Sequence, residues 1–130
     1  MFYNNQSIGE TGERVAARYL QFHFYRVLTR NYRTPFGEID LVCHKRRTLI
    51  FVEVKTRTNT TFGNPETAIT PQKMSHLIKA GEYYRRQQHC ADRPWRIDVL
   101  AINTSPDGRC AIHHFENVIQ DWPEEKIMRG

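Results

Sequence analysis

The first regularly spaced apolar residues lie near the N-terminus, where they recur at the three-and-four spacing of one helical face. The residues of this stripe are Gly12, Val15, Ala16, Tyr19 and Leu20. The spacing predicts a helix over residues 8–24. Glu13 lies at the edge of the stripe, so its carboxylate either faces the body of the protein or pairs on the surface with Arg14 or Arg18.

Residues 70–88 show the same helical spacing together with a start signal. Thr70 suits the N-cap, and Pro71 suits the first helical position, where the N–H that proline lacks would have no intrahelical partner. The apolar face that follows consists of Met74, Leu77, Ile78, Gly81 and Tyr84. The pattern predicts a second helix that begins at residue 71 and ends near residue 88.

The other patterned segments are typical of β-strands. Three are predicted between the helices, over residues 26–33, 38–43 and 48–57, and two after the second helix, over residues 96–103 and 110–115. The third strand is almost continuously apolar, as expected of a central strand covered on both faces. The tail from residue 121 is predicted to fray.

The order of helix, three strands, helix and two strands predicts an α/β sandwich. The three consecutive strands favour a meander, whereas the strand after the second helix must return through a helical crossover. The chain has 130 residues and contains no repeat or linker-like tract. We therefore expect one domain over residues 1–130, with its core at about residues 8–122.

Composition and charge narrow the range of partners. A net charge of +5 attracts polyanions such as nucleic acid or an anionic membrane surface. A membrane role is disfavoured, because no apolar run approaches the roughly 20 residues that span a bilayer and residues 1–10 lack signal-peptide features. The three cysteines have no metal-ligand spacing, which favours reduced thiols in a cytoplasmic protein and leaves a Cys90–Cys110 disulfide as the alternative.

Three charged residues lie within the predicted apolar strands. The two-residue strand period puts Glu53 and Lys55 on one face, roughly 7 Å apart at their Cα atoms. Asp40 lies on the preceding strand, and a hairpin between these two strands would bring Asp40 and Glu53 together at one end of the sheet. Charges in such surroundings are costly unless they are paired or bind a metal, so the pattern predicts either a salt-bridge cluster or a metal site.

A metal site here would favour phosphodiester hydrolysis. Two converging carboxylates repel each other unless one is protonated or a cation lies between them. Their hard oxygen atoms suit Mg²⁺ or Mn²⁺, which we predict as the cofactor. Such an ion polarises a phosphodiester and activates a bound water, while Lys55 would orient that water or neutralise charge on the phosphate.

Several sequence blocks carry a resemblance to a known family. They are Gly12-Glu13 with Ala16 and Tyr19-Leu20, then Asn31-Tyr32-Arg33, Gly37-Glu38-Ile39-Asp40-Leu41-Val42, Phe51-Val52-Glu53-Val54-Lys55-Thr56-Arg57 and Arg96-Ile97-Asp98-Val99. Over about residues 8 to 122 the sequence resembles the YraN-like family of uncharacterised bacterial proteins. That family is similar to Holliday-junction resolvases and to restriction-endonuclease-like PD-(D/E)xK nucleases.

The resemblance implies a restriction-endonuclease-like αβββαβ core, an α/β fold with a mixed central sheet flanked by helices. Asp40, Glu53 and Lys55 match the catalytic signature, and Glu13 matches the acidic residue of the first helix as a further metal ligand. Ile39 stands where the signature has proline.

Nucleic acid, and DNA in particular, is the predicted partner. The residues predicted to bind its phosphates are Arg30, Arg33, Arg57, Lys73, Lys45, Arg46 and Arg47, with Arg85 and Arg86 as further candidates. Lys73 lies at a helix N-terminus, which favours anions. Tyr32 or Phe62 is a candidate for stacking on a base, and Asp98, with no Glu-x-Lys after it, is interpreted as structural.

The leading hypothesis is a metal-dependent endonuclease that cuts DNA, with branched or structured DNA as a candidate substrate. A homodimer would supply the two sites that cutting both strands of a junction requires. The alternative is a non-catalytic nucleic-acid-binding module that retains the nuclease fold.

Overall fold

The computed structural model describes residues 8–57, 69–107 and 109–121. In order, the elements are helix α1 (Ile8–Phe22), strands β1 (Arg26–Thr34), β2 (Gly37–Lys45) and β3 (Thr48–Arg57), helix α2 (Pro71–Gln87), strands β4 (Trp95–Thr104) and β5 (Cys110–Phe115), and a 3₁₀ turn (Val118–Asp121). The predicted order of helices and strands is confirmed, including the αβββαβ core. The 3₁₀ turn was not predicted, while Phe62 and the predicted tail beyond residue 121 lie outside the described residues.

The five strands form one sheet in the order β1-β2-β3-β4-β5. All neighbouring pairs are antiparallel except β3 and β4, which run parallel. Because parallel neighbours need a crossover connection, α2 returns the chain from the end of β3 to the start of β4. The predicted meander, helical crossover and mixed sheet are therefore all present.

The two helices cover opposite faces of the sheet. On one face, Met74 and Leu77 of α2 pack in a buried cluster with Phe51 and Val99. On the other face, the stripe of α1 packs in a second cluster with Ile50 and other residues of β2, β3 and β4. Strand β3 is therefore buried from both sides, as its continuous apolar sequence predicted.

Helix α1 lies close to β3 at Gly12. A Cβ atom on this glycine would collide with Cγ2 of Thr56, so the contact requires a residue without a side chain. Since Glu13 follows directly in the helix, this contact helps to fix the position of Glu13 relative to β3.

Strands β1 and β2 continue past the point where β2 leaves β3. The register between β1 and β2 shifts between Val27 and Thr29, and their pairing then continues to Thr34 and Gly37. The pairing of β2 with β3 ends earlier, at Leu41 and Val52. We call residues 32–39 the hairpin arm. Tyr32 of this arm packs edge-on against Tyr84 of α2, with ring centroids 5.0 Å apart, so the arm lies against α2.

Two sequence expectations concern the environment of the chain. Cys43, Cys90 and Cys110 are all free thiols, which removes the disulfide alternative. Among the described residues, neither helix has the length and apolar character needed to cross a membrane.

Candidate active site

Asp40 lies where β2 separates from β3. One further step in the register of these strands would place Asp40 opposite Glu53. Instead of continuing the backbone ladder, Oδ2 of Asp40 accepts a hydrogen bond from the Val54 N–H at 2.8 Å. Ile39 and Val42 both belong to the cluster on the α2 face, so the alternation of β2 breaks beside Asp40. The break and the side-chain hydrogen bond together hold this carboxylate against β3.

Glu53 is a buried carboxyl group that meets Asp40 directly. Only 5% of its side chain is exposed. Burial, and then the hydrogen bond and the negative charge of Asp40, raise the pKa of Glu53 to about 7, against the lowering influence of Lys73 and Lys55. Two carboxyl groups that share a hydrogen bond need a proton or a cation between them. The predicted meeting of Asp40 and Glu53 at one point of the sheet is therefore seen in the structure.

Lys73 brings a positive charge close to Glu53. Its Nζ atom lies 3.3 Å from Oε2 of Glu53, which is ion-pair distance, and 38% of the lysine side chain remains exposed. The same oxygen accepts no hydrogen bond within the described part of the chain. Helix α2 sets this position, because Thr70 caps the helix by accepting a hydrogen bond from the Lys73 N–H at 3.1 Å.

Lys55 lies two residues after Glu53 on the same strand and therefore on the same face. It is half-buried, and its positive charge contributes to lowering the pKa of Glu53. Asp40, Glu53 and Lys55 are thus brought into one electrostatic group, as the sequence predicted.

Glu13 faces this group from α1. Burial raises its pKa, as do the charges of Asp40 and Glu38, while a hydrogen bond with Asn31 and the charge of Arg30 lower it. Of the two orientations open from the sequence, the structure shows the one toward the body of the protein. No three His, Cys, Asp or Glu side chains among the described residues converge as a ready metal site, so Glu13 stands outside the pair that does converge.

Asn31 is a residue of this site to which the sequence pattern assigned no role. It holds Glu13 by a hydrogen bond and has a φ of 51°, in the left-handed region that asparagine tolerates better than most residues. An asparagine inside an otherwise strand-like segment is the signal that marks this position.

The donor set of the site fits Mg²⁺ or Mn²⁺. Mg²⁺ is usually bound through one or two carboxylates and keeps several waters, so the pair Asp40 and Glu53 supplies enough protein ligands. Oε2 of Glu53 is buried, accepts no hydrogen bond among the described residues and lies at ion-pair distance from Lys73, so this oxygen sits where a positive charge is favoured and a metal ion could take it as a ligand.

The residues predicted to bind phosphates fall into two groups. Arg30, Arg33, Arg57 and Lys73 lie on the Glu13, Asp40 and Glu53 side, on β1, at the end of β3 and at the start of α2. Lys45, Arg46 and Arg47 lie at the opposite end of the sheet, where Lys45 sits 4.6 Å from the ring centroid of Tyr25.

Three further candidates have structural contacts of their own. Arg85 stacks on the ring of Trp95 at 4.6 Å and Arg86 pairs with Glu82 at 2.7 Å. Tyr32, a candidate for base stacking, instead packs on Tyr84 as part of the hairpin arm.

Asp98 is fully buried on β4, but unlike Glu53 it has hydrogen-bond partners at both of its carboxylate oxygens. Its oxygens lie 2.9 Å from Nε of Arg96, 2.8 Å from Nε2 of His114 and 2.9 Å from the N–H of Asn117. Burial alone would raise the pKa of Asp98, but these hydrogen bonds outweigh burial and lower it. The geometry agrees with the structural interpretation of Asp98.

Comparison with known proteins gives a family match over most of the chain. The sequence model of "Uncharacterised protein family UPF0102" matches residues 12–102. A UPF0102 protein of Syntrophomonas wolfei is 42% identical over 113 residues, which cover 87% of this chain and 97% of the relative. A UPF0102 protein of Geotalea daltonii is 43% identical over 114 residues, covering 88% and 90%.

Among solved structures, Pyrococcus furiosus SfsA in complex with Ca²⁺ is similar with a TM-score of 0.42 and 14% sequence identity. The match covers 83% of this chain and 62% of that chain, so the present chain spans less than two thirds of the SfsA chain.

Proposed function

Since the chain belongs to the uncharacterised protein family UPF0102, whose name states no activity, we propose from the site itself that the protein is a metal-dependent endonuclease that hydrolyses DNA phosphodiester bonds. The resemblance to YraN-like proteins is confirmed by this membership. Branched or otherwise structured DNA is the proposed substrate class, and the cytoplasm is the proposed location.

One observation carries the proposal. Asp40 and Glu53 come from two different strands, meet at the point where those strands separate, and share a hydrogen bond within a largely buried setting. Both carboxylate oxygens of Asp98 accept hydrogen bonds, whereas Oε2 of Glu53 accepts none in the described structure and has an ion-pair contact with the partly exposed Lys73. The pair is therefore better suited to hold a cation than to stabilise the fold.

Each residue of the site has a proposed role. Asp40 and Glu53 would hold Mg²⁺ or Mn²⁺, and an ion bound there would supply Lewis acidity toward a phosphate oxygen and a water of lowered pKa. Lys55 would face the scissile phosphate and neutralise the charge that develops on it. Glu13, held by Asn31, would order water on the far side of Asp40. No side chain is assigned as nucleophile, so the proposed hydrolysis has one step and no covalent intermediate.

The surroundings of the site favour a phosphate-bearing substrate. The charge of Lys73 lowers the pKa of Glu53, and the charge of Arg30 lowers the pKa of Glu13. Because the Lys73 side chain is partly exposed, it could also contact a second anion. The positive net charge of the chain would attract a polyanion to the protein, and Arg30, Arg33, Arg57 and Lys73 lie at this end of the sheet.

The test is cleavage of four-way-junction, duplex and single-stranded DNA by the purified protein in Mg²⁺ or Mn²⁺. Asp40→Asn and Glu53→Gln should each lower the cleavage rate by at least about a hundredfold, because each removes one ligand charge. Asp40→Asn keeps an oxygen for the Val54 N–H, which separates chemistry from folding. Metal-independent binding without cutting, unchanged in both variants, would support the non-catalytic binding module instead.

A further inference from the structure

A cavity of about 330 Å³ lies between the tip of the hairpin arm and the outer side of α2. Its lining residues are Phe36, Lys79, Glu82, Tyr83 and Arg86. Neither the proposed chemistry nor the predicted set of phosphate ligands accounts for this cavity, although Arg86 was a further phosphate candidate.

Phe36 is the unusual member of this lining. It occupies a turn in which Thr34 accepts a hydrogen bond from the Phe36 N–H at 3.0 Å and donates one to the Gly37 carbonyl at 2.7 Å. The turn is thus closed by polar contacts that do not involve the phenyl ring, and Phe36 remains 44% exposed. An exposed aromatic ring on a fixed turn is well suited to stack on a planar ligand.

The charged residues beside Phe36 and Tyr83 indicate which kind of planar ligand the cavity would fit. Lys79 and Arg86 bring two positive charges and Glu82 one negative charge, which Arg86 pairs at 2.7 Å. The lining therefore combines two aromatic side chains with two basic side chains and one acidic side chain. That combination is typical of surfaces that stack bases while holding the phosphate backbone, whereas an uncharged apolar peptide would gain nothing from the cations.

The cavity also lies within reach of the candidate active site. Phe36 precedes Asp40 by four residues, so their Cα atoms are at most about 14 Å apart. At about 3.4 Å per stacked nucleotide along a strand, this backbone separation corresponds to about four nucleotides.

From these contacts we propose that the cavity binds one unpaired nucleobase of the DNA substrate, stacked on Phe36 and Tyr83, within about four nucleotides of the phosphate that is cut. This inference rests on the proposed nuclease function and adds a preference for DNA with an unpaired base near the cleavage point. A fully paired duplex offers no free base face to the cavity, whereas junctions, flaps and forks do.

The experiment measures binding of Asp40→Asn protein to a fluorescein-labelled forked duplex, so that no strand is cut. One abasic residue is placed in turn at each unpaired position. At one position the abasic residue should weaken binding on the order of tenfold, the size expected for loss of one stacked base. Phe36→Ala, added to this protein, should weaken binding of the intact fork by a similar factor and abolish the sensitivity at that position, and Tyr83→Ala should act in the same direction.

Phe22→Ala is the matched control, because Phe22 is a 79% exposed phenylalanine in the last turn of α1. Its profile should equal that of the parent protein. Binding that is equally strong at every abasic position, or a Phe36→Ala defect that is the same for intact and abasic DNA, would overturn the stacking site. Absence of any DNA binding would overturn it too. Cleavage is measured separately with the protein that retains Asp40. A flat abasic profile together with metal-dependent cutting would overturn the stacking site alone and leave the nuclease proposal in place.

Discussion

At the scale of single residues, Glu53 shows how burial and charge act against each other. Its carboxyl group is buried beside Asp40, and Lys73 and Lys55 compensate its charge incompletely, so the pKa is raised to about 7 from an ordinary value of 4.5. The folded protein therefore holds a proton that the unfolded chain releases between these two pH values.

This proton makes stability depend on pH in a defined direction. Because the folded state binds more protons between about pH 4.5 and 7, the contribution of Glu53 is fully present below that window and is lost as pH rises through it. Glu53→Gln removes the dependence. In urea denaturation with EDTA, the free energy of unfolding of Glu53→Gln relative to the parent protein should be higher at pH 8 than at pH 5.

Glu82→Gln is the matched control, since Glu82 is an exposed carboxylate paired with Arg86. Its difference from the parent protein should be nearly the same at both pH values. An equally constant difference for Glu53→Gln would contradict the buried, protonated state of Glu53.

The sequence alone predicts the residues of the site but not all of the contacts between them. Strand alternation predicted Glu53 and Lys55 on one face, and the hairpin predicted Asp40 close to Glu53 at one end of the sheet. Two contacts were not predicted: the ion pair between Glu53 and Lys73 and the hydrogen bond between Glu13 and Asn31. Both depend on the packing of elements that are far apart in the chain, which the periodicity of one segment does not encode.

At the scale of elements, the packing of α1 on β3 depends on Gly12. An added methyl group would meet Cγ2 of Thr56, so Gly12→Ala should lower the free energy of unfolding by about 1–3 kcal/mol in urea denaturation. A glycine in an open helix position would show the opposite sign, because alanine is the better helix former by about 1 kcal/mol. Thr56→Ser removes Cγ2, and the double variant should recover most of the loss. A stabilised Gly12→Ala protein would disprove the close contact.

Asp98 of β4 contacts β5 through His114 and the segment before the 3₁₀ turn through Asn117, and it pairs with Arg96 of its own strand. Asp98→Asn leaves the Arg96 guanidinium beside a neutral group in a poorly exposed site, so it should cost about 3 kcal/mol in thermal or urea unfolding. Asp40→Asn should cost far less, because its oxygen still accepts from Val54. Equal losses in the two variants would remove the distinction between a structural and a functional aspartate.

The strands and helices themselves were largely predictable. The residue range 48–57 for β3 and the start of α2 at Pro71 agree with the sequence patterns, since both rest on local signals. The tip of the hairpin arm lies in the gap between the strands predicted over residues 26–33 and 38–43. The projection of the arm beyond β3 was not predicted, because it arises from a register shift between Val27 and Thr29 and from the early end of the pairing between β2 and β3.

At the scale of the whole molecule, the fold concentrates chemistry at one end of the sheet. The carboxylate pair lies where β2 separates from β3, α1 brings Glu13 and α2 brings Lys73. The sequence predicted this convergence for Asp40 and Glu53 through topology alone. It did not predict that Lys45, Arg46 and Arg47 lie at the other end, because the direction of each strand relative to the site follows only from the assembled sheet.

The central claim is that Asp40 and Glu53 together hold one divalent cation, and the most direct measurement is titration of Mn²⁺ followed by the electron paramagnetic resonance signal of the free ion. The account predicts one bound ion per chain at pH 8, an affinity reduced at least tenfold in Asp40→Asn and in Glu53→Gln, and no change in Glu82→Gln. Absence of binding, or binding that both site variants retain, would contradict it.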